Sequence, residues 1–341
     1  MTWMTWRQFR AQAIVAGALI AVIAVVLLVS GLKLASAANA AGLSGCHAGC
    51  AADASNFIDS LRGGIYQMLF YGGIGILYLA PALIGLFWGA PLIARELEAG
   101  TYRLSWSQSV TRTRWTVAKL GIVGLAAVVT AGLISLMVSW WASPIDDALS
   151  LGGTNGPVGN RLSPLVFAAR GVAPLGYAAF AFALGVALGV LFRRTLPAMA
   201  LTLAVFAAVQ VLVPTFVRPH LIQPDQVTRP LNPAAIDTLE ISGPDAQMTV
   251  LASANVPGGW LLSNQTITPA GHVFTGPATQ ACIGPNSTAC TNWIGSQHLR
   301  QQVTYQPASR FWPLQWAETG IYLALAAGLG LICGWRVRRR A

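Results

Sequence analysis

"RELEAGTYRLSWSQSVTRTRW", residues 95–115, sets two glutamates, four arginines and a row of hydroxyls between two apolar runs. The runs, 65–91 and 118–141, each reach the length of about 20 residues that an α-helix needs to cross hydrocarbon. A short polar link between two such runs predicts a helical hairpin through a membrane. Further apolar runs at 13–35, 169–192, 196–216 and 316–335 bring the expected spans to six. The run 169–192 is the weakest, because Arg170 and Pro174 fall in its first turn.

The composition of the 341 residues, 55% hydrophobic and 9% charged, excludes a soluble globular class. Orientation follows from Lys and Arg. With both termini inside, thirteen of the 21 basic residues fall inside beside only Glu96 and Glu98, and eight fall outside with the other nine acidic residues. The formal charge of +10 therefore reports topology and contact with anionic membrane lipid, and calls for no nucleic acid. Arg7, Arg10, an apolar run and "LASAANA" imitate a secretory signal. The apolar core is longer than the roughly 7–15 residues of such signals, so an uncleaved first span is expected.

Outside the spans, residues 36–64 read as a loop with a short helix over 53–61, and 142–168 as a second loop. The "RRT" link with Pro197 beside it makes a tight hairpin. The largest polar segment, 217–315, contains strand-like pieces such as "MTVLA" and "QQVTY" between turn signals, and reads as a small outer domain of mixed or β content. The division is therefore 1–216 (spans 1–5), 217–315, and 316–341 (span 6 and a basic tail). Cys46 and Cys50 share one outer segment, Cys282 and Cys290 another, and Cys333 stands alone inside. Disulfides 46–50 and 282–290 are expected, with other pairings open and a metal site with His47 or His272 the weaker reading. "GLFWG" (Gly85, Gly89) and "GVALG" (Gly185, Gly189) are glycine pairs at helical spacing, which let membrane helices approach closely.

Catalytic signatures are missing. The chain has no G-x-x-x-x-G-K-[ST] phosphate loop, no H-E-x-x-H and no G-x-S-x-G. No catalytic residue, metal ligand set or cofactor on this chain follows from the residues. Arg170 and Glu318 are interfacial charges, expected to snorkel or to pair with each other.

Within the link, Gly100 is a natural helix stop and Thr101 a cap for "YRLSWSQ", with Tyr102 and Trp106 on one face and Arg103 beside them. Thr111 is a second cap candidate. The pattern predicts a short amphipathic helix along the membrane surface, and by itself is also that of a purely lipid-facing helix. Glu98, Gly100, Thr101, Val110, Arg112 and Lys119–Leu120 resemble the E-x-G-T … P-V-x-R … K-L pattern of ABC-2 type permeases, the membrane subunits of ATP-binding-cassette exporters. No proline precedes Val110, a departure from that pattern. The stretches around the link and "YQPASRFWPLQWAETGIYLALAAGLG" are similar to an actinobacterial subfamily.

The resemblance implies an all-α polytopic membrane protein with six transmembrane helices, a short cytoplasmic coupling helix and a small extracytoplasmic domain. In it, Glu96, Glu98, Gly100, Thr101, Tyr102, Arg103, Trp106 and Arg112 would dock on a separate ATPase subunit that carries ATP and Mg. It further implies a second permease copy or similar chain, a hydrophobic or amphipathic exported substrate, and a bacterial plasma membrane location with both termini cytoplasmic. The alternative is a non-transporting membrane subunit that relays ATPase motion to an outer partner through 217–315.

Overall fold

The computed structural model describes residues 2–46, 49–99, 112–152, 159–242, 247–254, 256–277, 279, 282 and 287–339. Six of its helices are long and apolar enough to cross a membrane: Phe9–Ala40, Ile65–Glu98, Val117–Ser150, Ala173–Phe192, Thr195–Leu221 and Ala308–Arg336. They are called spans 1–6 here. Two compact units divide the chain, the first from Met1–Leu221 with Phe311–Ala341 and the second Ile222–Arg310.

Two helices outrun their apolar runs, which shortens the expected loops at 36–64 and 142–168. Span 1 belongs to a helix over Thr2–Ala40, and span 3 to one over Arg112–Ser150. The reason is a second apolar layer beyond the hydrocarbon stretch. Trp141, Ile145, Ala148 and Leu149 recur at helical spacing and bury against Leu34 and Ala38 of span 1 and against Phe57 and Ile58 of the short helix Ala51–Ser60. Pro144 inside the span 3 helix cannot donate to the carbonyl of Trp140. Ser143 Oγ donates to that carbonyl instead, at 2.8 Å, so the helix continues.

Span 2 changes its winding midway. An α-helix over Ile65–Leu83 passes into a π-helical segment, Ile84–Gly89, and returns to α-helix over Ala90–Glu98. There the two glycine pairs found in the sequence meet each other. A Cβ on Gly89 would lie 2.6 Å from the carbonyl oxygen of Phe182, and one on Gly189 2.6 Å from that of Ala90. Backbones this close supply the packing that lipid does not drive.

Spans 4 and 5 join in a turn of two residues. Arg193 takes the left-handed conformation (φ 55°), Arg194 is extended, and Thr195 begins the next helix.

The second unit holds two three-stranded antiparallel sheets. In one, Asp225–Pro230 and Trp260–Ile267 flank Arg300–Gln306; in the other, Ile236–Ser242 and Gly276–Pro277 flank Gln247–Ala252. Side chains stitch the sheets together. Gln301 Nε2 and Asn264 Nδ2 each donate to the carbonyl of Ala252 at 2.8 Å, and Thr266 Oγ1 donates to that of Val250.

Candidate functional site

Polar side chains collect at the two ends of the helical unit. At the end where span 1 starts, span 2 finishes and span 3 starts, Glu96 pairs with Lys119, and both side chains are mostly buried. Glu98, two residues on and exposed, accepts from the backbone N–H of Thr195 (3.1 Å) and from its hydroxyl (2.7 Å), both on Oε2. A carboxylate on the first amide of span 5 satisfies an orphan donor and complements the helix dipole. The two glutamates thus fasten the last turn of span 2 to the first turns of spans 3 and 5.

Both glutamates of the predicted docking set thus have a partner inside the chain. Gly100, Thr101, Tyr102, Arg103 and Trp106 of the predicted docking set lie outside the described residues. So does Thr111; Arg112 opens the span 3 helix.

The other end is built around buried charge. Arg218, at the end of span 5, meets Glu318 of span 6 through Nε–Oε2 at 2.7 Å and Nη2–Oε1 at 2.9 Å. The hydroxyl of Tyr177 donates to Glu318 Oε1 at 2.5 Å, and Arg218 Nη1 donates to the carbonyl of Pro164 at 3.0 Å. The guanidinium also lies over the ring of Phe167, 4.3 Å from its centroid. From span 2, Tyr78 points its hydroxyl at the carbonyls of Pro164 and Leu165, at 3.4 and 3.3 Å. The pair is fully enclosed, with both side chains at 0% exposure. Such a pair holds only where its remaining lone pairs and protons are also satisfied, and here they are.

Arg170 and Glu318 do not pair with each other, and both are buried rather than snorkelling. Arg170, 2% exposed, donates through Nε to Asp146 Oδ2 of span 3 at 3.2 Å and stacks over Phe70 of span 2. The irregular backbone around it is satisfied by neighbouring spans. Gln315 of span 6 accepts on Oε1 from the amides of Val172 (3.0 Å) and Ala173 (2.8 Å), and donates from Nε2 to the carbonyl of Phe167. Ser135 and Ser139 of span 3 take the carbonyl and amide of Gly171. Gly171 is obligatory there: its φ is +62°, and a Cβ would lie 2.9 Å from Gln315 Oε1. Non-helical backbone among membrane helices is tolerated where protein covers it in this way.

Sequence reasoning passed over Arg218, Gln315, Tyr177 and Asp146. The available signal was position: Arg218 and Glu318 are opposite charges, one near the end of span 5 and the other near the start of span 6.

Cys46 and Cys50 form one disulfide and Cys282 and Cys290 another, while Cys333 is free and buried. Among the described residues, no three His, Cys, Asp or Glu side chains converge as a metal site would need. The geometry of the described residues offers bracing and packing at both ends of the unit.

The family model of ABC-2 membrane transporter related proteins matches residues 17–218, more than half of the chain. No curated protein and no solved structure matches it. With six membrane-capable helices, five of them overlapping the matched region, the chain belongs to the ABC-2 membrane transporter related family and is a multi-pass ABC transporter permease.

Proposed function

We propose that the chain is the permease subunit of an ATP-driven exporter, with residues 95–115 docking on a separate ATPase that holds ATP and Mg. The observation that carries this reading is the bracing of the end of span 2: Glu96 to Lys119 in span 3, and Glu98 to Thr195 at the start of span 5. A push on the link is thereby delivered to three spans together. In this reading Glu96 and Glu98 are transmission points, and Tyr102, Arg103 and Trp106 meet the partner. Two permease copies form the pathway, the termini face the cytoplasm, and the exported molecule is hydrophobic or amphipathic. The chain itself neither binds nor hydrolyses ATP, because it lacks a phosphate-cradling loop.

One observation favours a second reading, a non-transporting subunit that relays motion to an outer partner. Tyr78 of span 2 reaches Pro164, which also accepts from Arg218, and Arg218 holds Glu318. Those two residues bracket the second unit in sequence, so a shift of span 2 would be felt at both of its roots.

Co-purification tests the proposal. An ATPase subunit encoded with this chain should come down with it, and Trp106→Ala should weaken association at least tenfold, since losing a buried tryptophan anchor commonly costs about 2 kcal/mol. Full ATPase recovery with Trp106→Ala would remove the link from the interface. ATP-dependent flux of an amphiphile in reconstituted vesicles separates the exporter from the relay, which would hydrolyse ATP without flux.

A further inference from the structure

A cavity of about 420 Å³ opens where span 1 starts, beside the π segment and last turns of span 2 and against span 3. That volume lies within the range of about 300–1,000 Å³ typical of small-molecule sites. Its walls divide by chemistry. Phe9, Trp88 and Val123 supply apolar surface, and Gln12, Arg95 and Glu96 supply polar groups. The walls are also preset. Phe9 and Trp88 meet edge to face with centroids 4.8 Å apart, and Gln12 Nε2 donates to the carbonyl of Phe87 in the π segment at 3.2 Å.

The charge at the cavity is one-sided. Glu96 is held by buried Lys119, so those two charges offset each other. Arg95 is exposed and pairs with no carboxylate among the described residues. Among the described lining residues, what remains is an apolar slot ending at one cation, Arg95, without a carboxylate partner. Its place is at the start of span 1 and the last turns of span 2, and the ends of a membrane-spanning helix are where hydrocarbon gives way to headgroups.

We propose that this cavity is a lipid site: it takes the upper acyl chain of an anionic phospholipid from the adjoining leaflet, with the phosphate on Arg95. An anionic head complements the one unbalanced charge, and the apolar walls suit a hydrocarbon chain. The cavity is too small for a whole phospholipid, so the second chain stays in the bilayer. The inference needs only the membrane setting of the family and is independent of ATPase docking.

The test uses the purified full chain in detergent, without any ATPase. Native mass spectrometry with added phosphatidylglycerol or phosphatidylcholine should show saturable binding of one phosphatidylglycerol per chain. A preference of at least about fivefold is expected from one basic group meeting an anionic head. Arg95→Glu should abolish the preference and Arg95→Lys should keep it. Arg336→Glu, at the same end of the bundle as Phe9 through their shared neighbour Cys333 but outside the cavity, should also keep it. Phosphatidylglycerol bearing a photoreactive acyl chain should label peptides within 9–12 and 87–99 of the unmodified chain. That readout holds even if a variant fails to fold. A preference that survives Arg95→Glu, one lost equally with Arg336→Glu, or labelling confined to other spans would overturn the proposal.

Discussion

Arg218 and Glu318, one hundred positions apart, form a two-point ion pair with neither side chain exposed. The pair joins the end of span 5 to span 6, and the 222–310 unit is inserted between them in sequence. Removing one partner leaves the other charge buried and unmatched, which typically costs about 3–5 kcal/mol, whereas replacing both with apolar side chains is often close to neutral. Arg218→Met should therefore lower the melting temperature in detergent sharply, and Arg218→Met with Glu318→Leu should recover most of the loss. Equal losses in the single and double variants would show that the charge pairing is not what holds these spans.

The glycine seam between spans 2 and 4 predicts opposite outcomes for one kind of substitution. Gly89→Ala presses a methyl to 2.6 Å from the Phe182 carbonyl oxygen, and should destabilise by about 1–3 kcal/mol through overpacking. Gly121→Ala meets nothing within 4 Å, and should be neutral or stabilising by up to about 1 kcal/mol, the helix-propensity gain. Thermal unfolding of the two variants side by side decides it. Similar effects at both sites would argue against the close approach.

Cysteine labelling gives a prediction about access. Non-reducing peptide mapping should return Cys46–Cys50 and Cys282–Cys290, leaving Cys333 as the free thiol. Cys333, at 2% exposure, should resist maleimide in the folded protein and react fully once denatured. Rapid labelling of the native chain, or peptides linking the two pairs crosswise, would contradict the arrangement.

Gln301 offers a test confined to the second unit. It is 2% exposed, donates to the Ala252 carbonyl and to Asn264 Oδ1, and accepts from Arg229 Nε at 2.9 Å. Gln301→Leu takes the donor from Asn264 Oδ1 and removes one of the two side-chain donors that hold the Ala252 carbonyl, at about 1–3 kcal/mol for a buried group left unsatisfied. Limited proteolysis should then cut within 222–310 much faster than in the unaltered chain, while the six spans stay protected. Unchanged proteolysis would mean that the two sheets are held by other contacts.

The spans were legible because length and hydropathy alone carry that signal, and the tight turn at Arg193–Thr195 was legible from its basic pair and Pro197. The β content of the polar segment was readable from "MTVLA" and "QQVTY", but its two-sheet pairing was not, since register is set by partners distant in sequence. Helix over 142–150 was missed because Asp146, Asp147 and Pro144 look like loop chemistry. Its apolar residues face Phe57 and Ile58, which only the fold brings near. Arg170 and Glu318 were noticed as charges at helix ends, but their partners Asp146 and Arg218 lie 24 and 100 positions away. The internal partners of the link's two glutamates, Lys119 and Thr195, were not legible because they are likewise remote in sequence.

The π segment of span 2 sets a phase between two halves of one helix. Ile84–Gly89 winds one residue wider per turn than its neighbours, and one residue of α-helix corresponds to a rotation of about 100°. Above it, Phe70, Ile74 and Leu77 face the layer shared with spans 1 and 3; below it, Ile93 and Glu96 face Val123 and Lys119. The extra residue is the offset that lets both halves meet their partners at once. Deleting one residue of the segment would leave a helix of nearly the same length and apolar character. It would also turn Glu96 away from Lys119 and Glu98 away from Thr195, as a gear slipped by one tooth still spins but no longer drives the wheel beside it.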